Sequence, residues 1–251
     1  MSWSSQRQAL YSSTFIIALL LLIGLPLFLL FYHKPTCIDG KQNQGEAGVD
    51  CGGICPKICP FQIPEPIVHW ARTLLVTQSV YNAVAYIENP NVSFGVTRAP
   101  YIFRVYDAKG LLIIERKGST FIPPGKVFAI FEPSLSVGER IPERTVFAFT
   151  QSLDWQKLPR LEDALTVTNL TITDELLSPR LEAELVNRSV DPIDSLEVVA
   201  IIFNIQNNAI GFSRTVIDGI DKNGSARLVF TWPKPFSEKS ARVEIIPRVL
   251  R

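Results

Sequence analysis

The stretch RLEAELVN, residues 180–187, alternates strictly: Leu181, Ala183 and Leu185 fall on one side of an extended chain, Glu182 and Glu184 on the other. Side chains of a strand point to opposite faces with a period of two, so such a segment buries one face and wets the other. The pattern recurs from residue 66 onward, with turn signals roughly every 8 to 12 positions, which predicts an all-β fold. SLEVVAIIFNI, residues 195–205, is denser and predicts a strand covered on most of both faces.

The strands come in two matching sets. AYIENPN (residues 85–91) resembles AELVNRS (residues 183–189), 98 positions later. FRVYDAKG (103–110) stands where AIIFNIQN (200–207) stands, at an offset of 97. IPPGKVFAIFEP (122–133) parallels DKNGSARLVFTWP (221–233), with Pro133 and Pro233 100 apart. A unit of about 90 to 100 residues has the size of an immunoglobulin-like sandwich. The predicted fold is therefore two tandem immunoglobulin-like β-sandwiches, residues 66–152 and 158–251. The polar segment LDWQKLPRLED, residues 153–163, reads as a linker, and each half is expected to fold alone, the second with Phe203 in its own core.

Ahead of the strands, residues 15–32, FIIALLLLIGLPLFLLFY, carry no charge over 18 positions. As a helix this run covers about 27 Å, close to the roughly 30 Å of a bilayer's hydrocarbon core. Pro26 is tolerated in a membrane helix. The run ends in FLLFYHKPTC without small residues at a cleavage site, so an uncleaved anchor is expected rather than a signal peptide. Arg7 precedes the span and Lys34 and Lys41 follow it, so flanking charge does not set the orientation.

All four cysteines follow at once: Cys37, Cys51, Cys55 and Cys59, spaced C-x13-C-x3-C-x3-C within residues 37–60. Zinc ribbons and thioredoxin-type redox pairs favour C-x-x-C, and the sole nearby histidine is His33 at the edge of the span. A segment too small for its own apolar core favours two disulfides, with zinc or free thiols as alternatives and three connectivities open. Asp39, Asn43, Glu46 and Asp50 offer oxygens to calcium, but an EF-hand loop starting at Asp39 would have Lys41 at its third position and Gln44 where glycine is required. Caps for tight turns are the preferred reading of these residues.

Two resemblances sharpen this. The run C-x-D-G-x-x-N-x-G-E-x-G-x-D-C-G-G-x-C from Cys37 to Cys55 resembles a cysteine module found beside membrane anchors and surface domains of extracellular proteins. It implies an exported segment, with residues 1–14 inside the cell, 15–32 in the cell membrane and everything after Lys34 outside. Phe103, Val105, Tyr106 and Asp107, followed by Gly110, resemble the F-x-L-Y-D motif that names a family of sandwiches on bacterial and archaeal envelope proteins. Pro-Pro-Gly at residues 123–125 and Asn89 at a strand end fit the same pattern, whereas the second copy departs, with Ala200, Ile202, Phe203 and Asn204 in the matching places. From the residues alone, Phe103 and Val105 point into a core, Arg104 faces out, and Asp107 and Gly110 form a tight turn.

Charge balance, 25 basic against 24 acidic residues, advertises no nucleic acid. With 18 prolines and 2 histidines the chain suits a turn-rich β protein better than an acid–base enzyme. G-x-S-x-G, Walker A, dinucleotide and H-E-x-x-H motifs are absent from the sequence, and no context builds a triad on His69 or His33. The adjacent carboxylates Glu162 and Asp163 read as a solvated turn. Sequons occur at Asn91, Asn169, Asn187 and Asn223. The expected protein is non-catalytic and cofactor-free: a single-pass envelope protein presenting two sandwiches to an unknown envelope or surface protein. The alternatives are an accessory subunit of a membrane complex and an enzyme with an unrecognised site.

Overall fold

A computed structural model describes residues 3–31, 36–59 and 63–250. Tyr32 at the end of the expected span, His33 and Lys34 after it, and Pro60 at the end of the cysteine segment lie outside the described residues. Helix α1 (Trp3–Phe31) runs through Pro26 without a break. Within it Leu10–Leu27 is apolar, and none of its side chains is buried by the rest of the chain. Ser13 and Thr14 return their hydroxyls to the Leu10 carbonyl at 3.0 and 2.8 Å, which satisfies both inside the helix. By length and composition this helix can cross a membrane.

The β region begins with β1 (Ile67–Thr77), β2 (Val80–Glu88), β3 (Phe94–Tyr106), β4 (Leu112–Ile122), β5 (Val127–Ser136), β6 (Arg144–Phe149) and the two-residue β7 (Gln156–Lys157). It continues with β8 (Leu165–Thr173), β9 (Arg180–Asn187), β10 (Ile193–Phe203), β11 (Ala209–Ile220), β12 (Ser225–Thr231) and β13 (Arg242–Val249). The strands form four antiparallel sheets, ordered β1-β2-β5, β4-β3-β6, β12-β9-β8 and β11-β10-β13, with β7 on the start of β3. The fold is all-β behind an apolar N-terminal helix.

Period-two alternation decides where each apolar side chain goes. Ala83, Ala85 and Ile87 of β2 face Phe103 and Val105 of β3, with Phe128 and Ile130 of β5, to make the first core. Leu181 and Leu185 of β9 meet Val198, Ala200 and Ile202 of β10 in the second. On β2, β5 and β10 the opposite face is apolar and covered as well. Val84, Ala129 and Phe131 from the first sandwich pack against Val199, Ile201 and Phe203 from the second, forming a third core, with Trp70 and Tyr86 at its margin. Sheets β1-β2-β5 and β11-β10-β13 are thus the inner layers of a four-layer stack. β10, buried along nearly its whole length, is the strand covered on both faces.

The packing corrects two expectations. Phe203 belongs to the seam between the sandwiches rather than to the private core of the second. The segment after β6 is not a free linker. Trp155 is 7% exposed within the first core, Phe94 and Gly95 of β3 pair with Lys157 and Gln156, and Leu158 N–H donates to the Ser93 carbonyl at 3.2 Å. Glu162, 5% exposed, accepts the Val249 N–H of β13 at 3.2 Å, and Asp163 pairs with Arg160 and Lys126. Polar composition concealed this, because the segment is held by backbone bonds and by a single buried indole.

Candidate functional site

The motif residues build structure. Phe103 and Val105 are fully buried between the sheets, and Arg104 faces out to an ion pair with Glu115 at 2.9 Å. Arg144 of β6 lies 4.8 Å from the Tyr106 ring. Asp107 Oδ1 accepts the N–H groups of Lys109 and Leu111, both at 2.9 Å, while Gly110, at φ +77°, closes the turn with its N–H on the Asp107 carbonyl. The left-handed φ costs glycine nothing.

Asn89 and Asn187, 98 positions apart, perform one task in the two sandwiches. Asn89 Nδ2 donates to the carbonyls of Phe94 and Pro123, both at 2.7 Å, and its Oδ1 accepts the Asn91 N–H at 3.0 Å. Asn187 Nδ2 donates to Asp191, Ile220 and Asp221 carbonyls, and its Oδ1 accepts the N–H and hydroxyl of Ser189. The backbone repeats the correspondence. Asn89 N–H bonds the Lys126 carbonyl and Asn187 N–H the Gly224 carbonyl, both at 2.9 Å. Gly125 at φ +56° and Asn223 at φ +54° occupy the same left-handed turn position. Of the four sequon asparagines, Asn91 and Asn187 have their amides engaged inside the protein, whereas Asn169 and Asn223 are exposed.

In the neck the cysteines are oxidised. Cys37 and Cys55 form a bridge with Cα atoms 5.6 Å apart, and with no free cysteine the second bridge is Cys51–Cys59. Cys37, Glu46 and Cys55 bring possible ligand atoms within 4.8 Å of one another, but a bridged sulfur has no thiolate to give a metal. The carboxylates serve turns. Asp39 accepts the Thr36 and Lys41 N–H groups and the Asn43 amide, and these hydrogen bonds, that of Asn43 first, hold its carboxyl below the usual range. Both Asp50 oxygens accept the Gly40 N–H, and Glu46 Oε2 accepts those of Asn43 and Asp50. His69 sits at the exposed start of β1 with Nε2 2.9 Å from Glu88.

The most distinctive polar arrangement is one that the sequence did not flag. Where the two sandwiches meet, a cleft of about 450 Å3 is lined by residues of β3, β4, β5, β10, β11 and β13. Glu197, a charge set in the apolar strand β10, receives Arg248 on one oxygen and Arg214 on the other, the latter at 3.2 Å. Arg248 is 6% exposed, lies 4.9 Å from the Phe121 ring and donates also to Thr120 Oγ1 across the seam. Its Nε is buried without a hydrogen-bond partner among the described residues. Arg214 lies 5.4 Å from the Phe131 ring. Tyr101 donates to Glu132 at 2.6 Å, and burial, then that carboxylate, push its phenol well above the ordinary value. On β3 the pairing with β4 steps from Val96↔Ile122 to Ala99↔Thr120, so Thr97 and Arg98 form a bulge. Arg98 is exposed there and has no ion-pair partner among the described residues. The available signal was two charges, Glu197 and Arg248, inside otherwise apolar strands.

These features define an all-β protein of two packed sandwiches behind an apolar helix and a disulfide-bonded neck. The chain matches no family model, and no curated protein is significantly similar to it. Among solved structures it is similar in part to red sea bream transglutaminase, at 9% identity over 74% of this chain and 32% of that one, with a TM-score of 0.20. It is also similar to the calcium-binding domain CBD12 of CALX1.1, at 12% identity over 71% of this chain and 80% of that one, again with a TM-score of 0.20. The chain therefore spans about a third of the transglutaminase.

Proposed function

We propose that this is a single-pass envelope protein: α1 remains in the membrane with its N-terminus inside, and the neck and both sandwiches stand outside as a non-catalytic platform that binds another envelope or surface protein. The observation that carries this reading is the pair of disulfides directly after a helix whose apolar stretch, Leu10–Leu27, is left exposed by the described residues. Disulfides persist in oxidising compartments, and an exposed apolar helix is stable only in an apolar surrounding. The matched sheet orders and the shared asparagine bonds, 98 positions apart, support two copies of one immunoglobulin-like unit, as the F-x-L-Y-D resemblance implies. Protease added to intact cells should remove the sandwiches and leave a membrane-bound fragment containing α1. Protection until lysis, or a mature protein whose mass lacks residues 1–36, would contradict the anchored, outward arrangement.

One observation favours lateral docking as an accessory subunit. Leu176, Leu177 and Ile205 are 76 to 89% exposed on two loops at one end of the second sandwich. Ser240 to Glu175 and Asn204 to Glu238 hydrogen bonds tie those loops to the β12–β13 connection. Crosslinking from these loops to one defined membrane protein would support this second reading.

A further inference from the structure

We infer that the cleft between the sandwiches is a receptor for a carboxylate side chain of a partner polypeptide, with Arg98 and Arg214 as the binding pair. This deepens the protein-binding reading above and rests on it.

The charge inventory leads there. Arg98, Arg214 and Arg248 face the cleft against Glu132 and Glu197. Glu197 is shared between Arg214 and Arg248, and Glu132 is engaged by the Tyr101 hydroxyl, so Arg98 has no acid to answer it among the described residues. Among the described residues that line the cleft, the excess is one positive charge. A monoanionic carboxylate neutralises it, whereas a dianionic phosphate would be left facing Glu132 and Glu197. The guanidinium fork matches a carboxylate in two parallel hydrogen bonds.

Geometry supports the same assignment. The β3 bulge sets Arg98 in the cleft wall, and bulges commonly re-aim side chains beside binding sites. Arg214 is held in advance by Glu197 and the face of Phe131, yet its side chain remains 33% exposed, so a ligand need not order it. The 450 Å3 volume lies within the range of ligand pockets and is large enough for an acidic side chain and the backbone that carries it. Both sandwiches supply walls, so the site exists only when the seam is closed.

The test uses the full chain in detergent micelles with methyl-labelled Thr97 and Leu250, which line the cleft. The probe is acetyl-Leu-Glu-Leu-amide, with the Gln peptide and sodium glucuronate as comparisons. The Glu peptide should shift both methyls saturably, the Gln peptide should not, and Arg98→Gln should weaken binding about tenfold. High salt should weaken it as well. Arg98 is exposed, so the variant should keep the parent unfolding midpoint; if it does not, Arg98→Lys, which keeps the charge but not the fork, should bind at an intermediate level. Equal binding of the Glu and Gln peptides, binding indifferent to Arg98→Gln, or response to glucuronate alone would each overturn the proposal. Protease shaving reports on the anchored arrangement separately, so failure of one does not imply failure of the other.

Discussion

Trp70 of the first sandwich lies against Phe212 of the second, with ring centroids 6.0 Å apart and planes 17° from parallel. Phe203 meets the same indole edge-on at 6.4 Å, and Arg242 covers the other partner at 3.8 Å from the Phe203 centroid. Next to them the Tyr86 hydroxyl donates to Glu244 at 2.8 Å, and Arg72 donates to Asn208 at 3.1 Å. An aromatic seam rimmed by polar bonds resembles the centre of a stable interface more than a hinge.

Phe203→Ala should therefore cost about 3 to 5 kcal/mol, and the loss should be felt by both sandwiches. Urea unfolding followed by tryptophan fluorescence and by far-ultraviolet circular dichroism should give coincident curves. A fragment of residues 158–251 would expose Val199, Ile201 and Phe212, and it should self-associate or unfold more readily than the whole. A monomeric fragment as stable as the full β region would show that the seam contributes nothing.

Asn187→Ala should cost about 2 to 4 kcal/mol, because one buried amide satisfies three carbonyls and the Ser189 N–H. Asn89→Ala should behave alike in the other sandwich. In a host that glycosylates, glycopeptides should carry sugar at Asn169 or Asn223 and none at Asn91 or Asn187, whose amides are buried and bonded.

Mass measured without reductant should fall about four hydrogens short of the reduced chain, one pair per bridge. Digestion between the cysteines should yield peptides joined as Cys37–Cys55 and Cys51–Cys59. Any other pairing would remove the described neck.

Alkali should weaken the fold in a recognisable way. Burial, followed by the hydrogen bond to Glu244, pushes the Tyr86 phenol up, and burial with Glu132 does the same for Tyr101. Both are neutral in the folded state at pH values where an unfolded tyrosine, with a pKa of about 10, ionises. Their contribution is fully present below about pH 10 and is lost as pH rises toward their folded values. The urea midpoint should hold steady to about pH 9.5 and then fall, with a smaller alkaline fall in Tyr86→Phe. In a tyrosinate absorbance titration, Tyr86 and Tyr101 should ionise only as the protein unfolds.

Much of this was legible in the chain. Alternation in RLEAELVN placed Leu181 and Leu185 inward, the density of SLEVVAIIF foretold a strand without a wet face, and FRVYD followed by Gly110 foretold core and turn. These are local properties, because the pleat sets side-chain direction from one residue to the next. The matching of Asn89 with Asn187 was also visible as spacing, although its purpose was not.

Tertiary structure alone decided which partner each second face would meet. Val84, Val199 and Phe203 announce burial, but a strand apolar on both faces does not say what covers it. The answer depends on two sheets distant in sequence arriving face to face. Packing within the first sandwich draws Trp155 out of a polar segment into the first core, and the docking of the two sandwiches collects Arg98, Glu132, Glu197, Arg214 and Arg248 from five strands into one cleft. Charges separated by up to 150 positions have no period to reveal them, and they become neighbours only because burying apolar surface on both sides of β10 brings the sandwiches together.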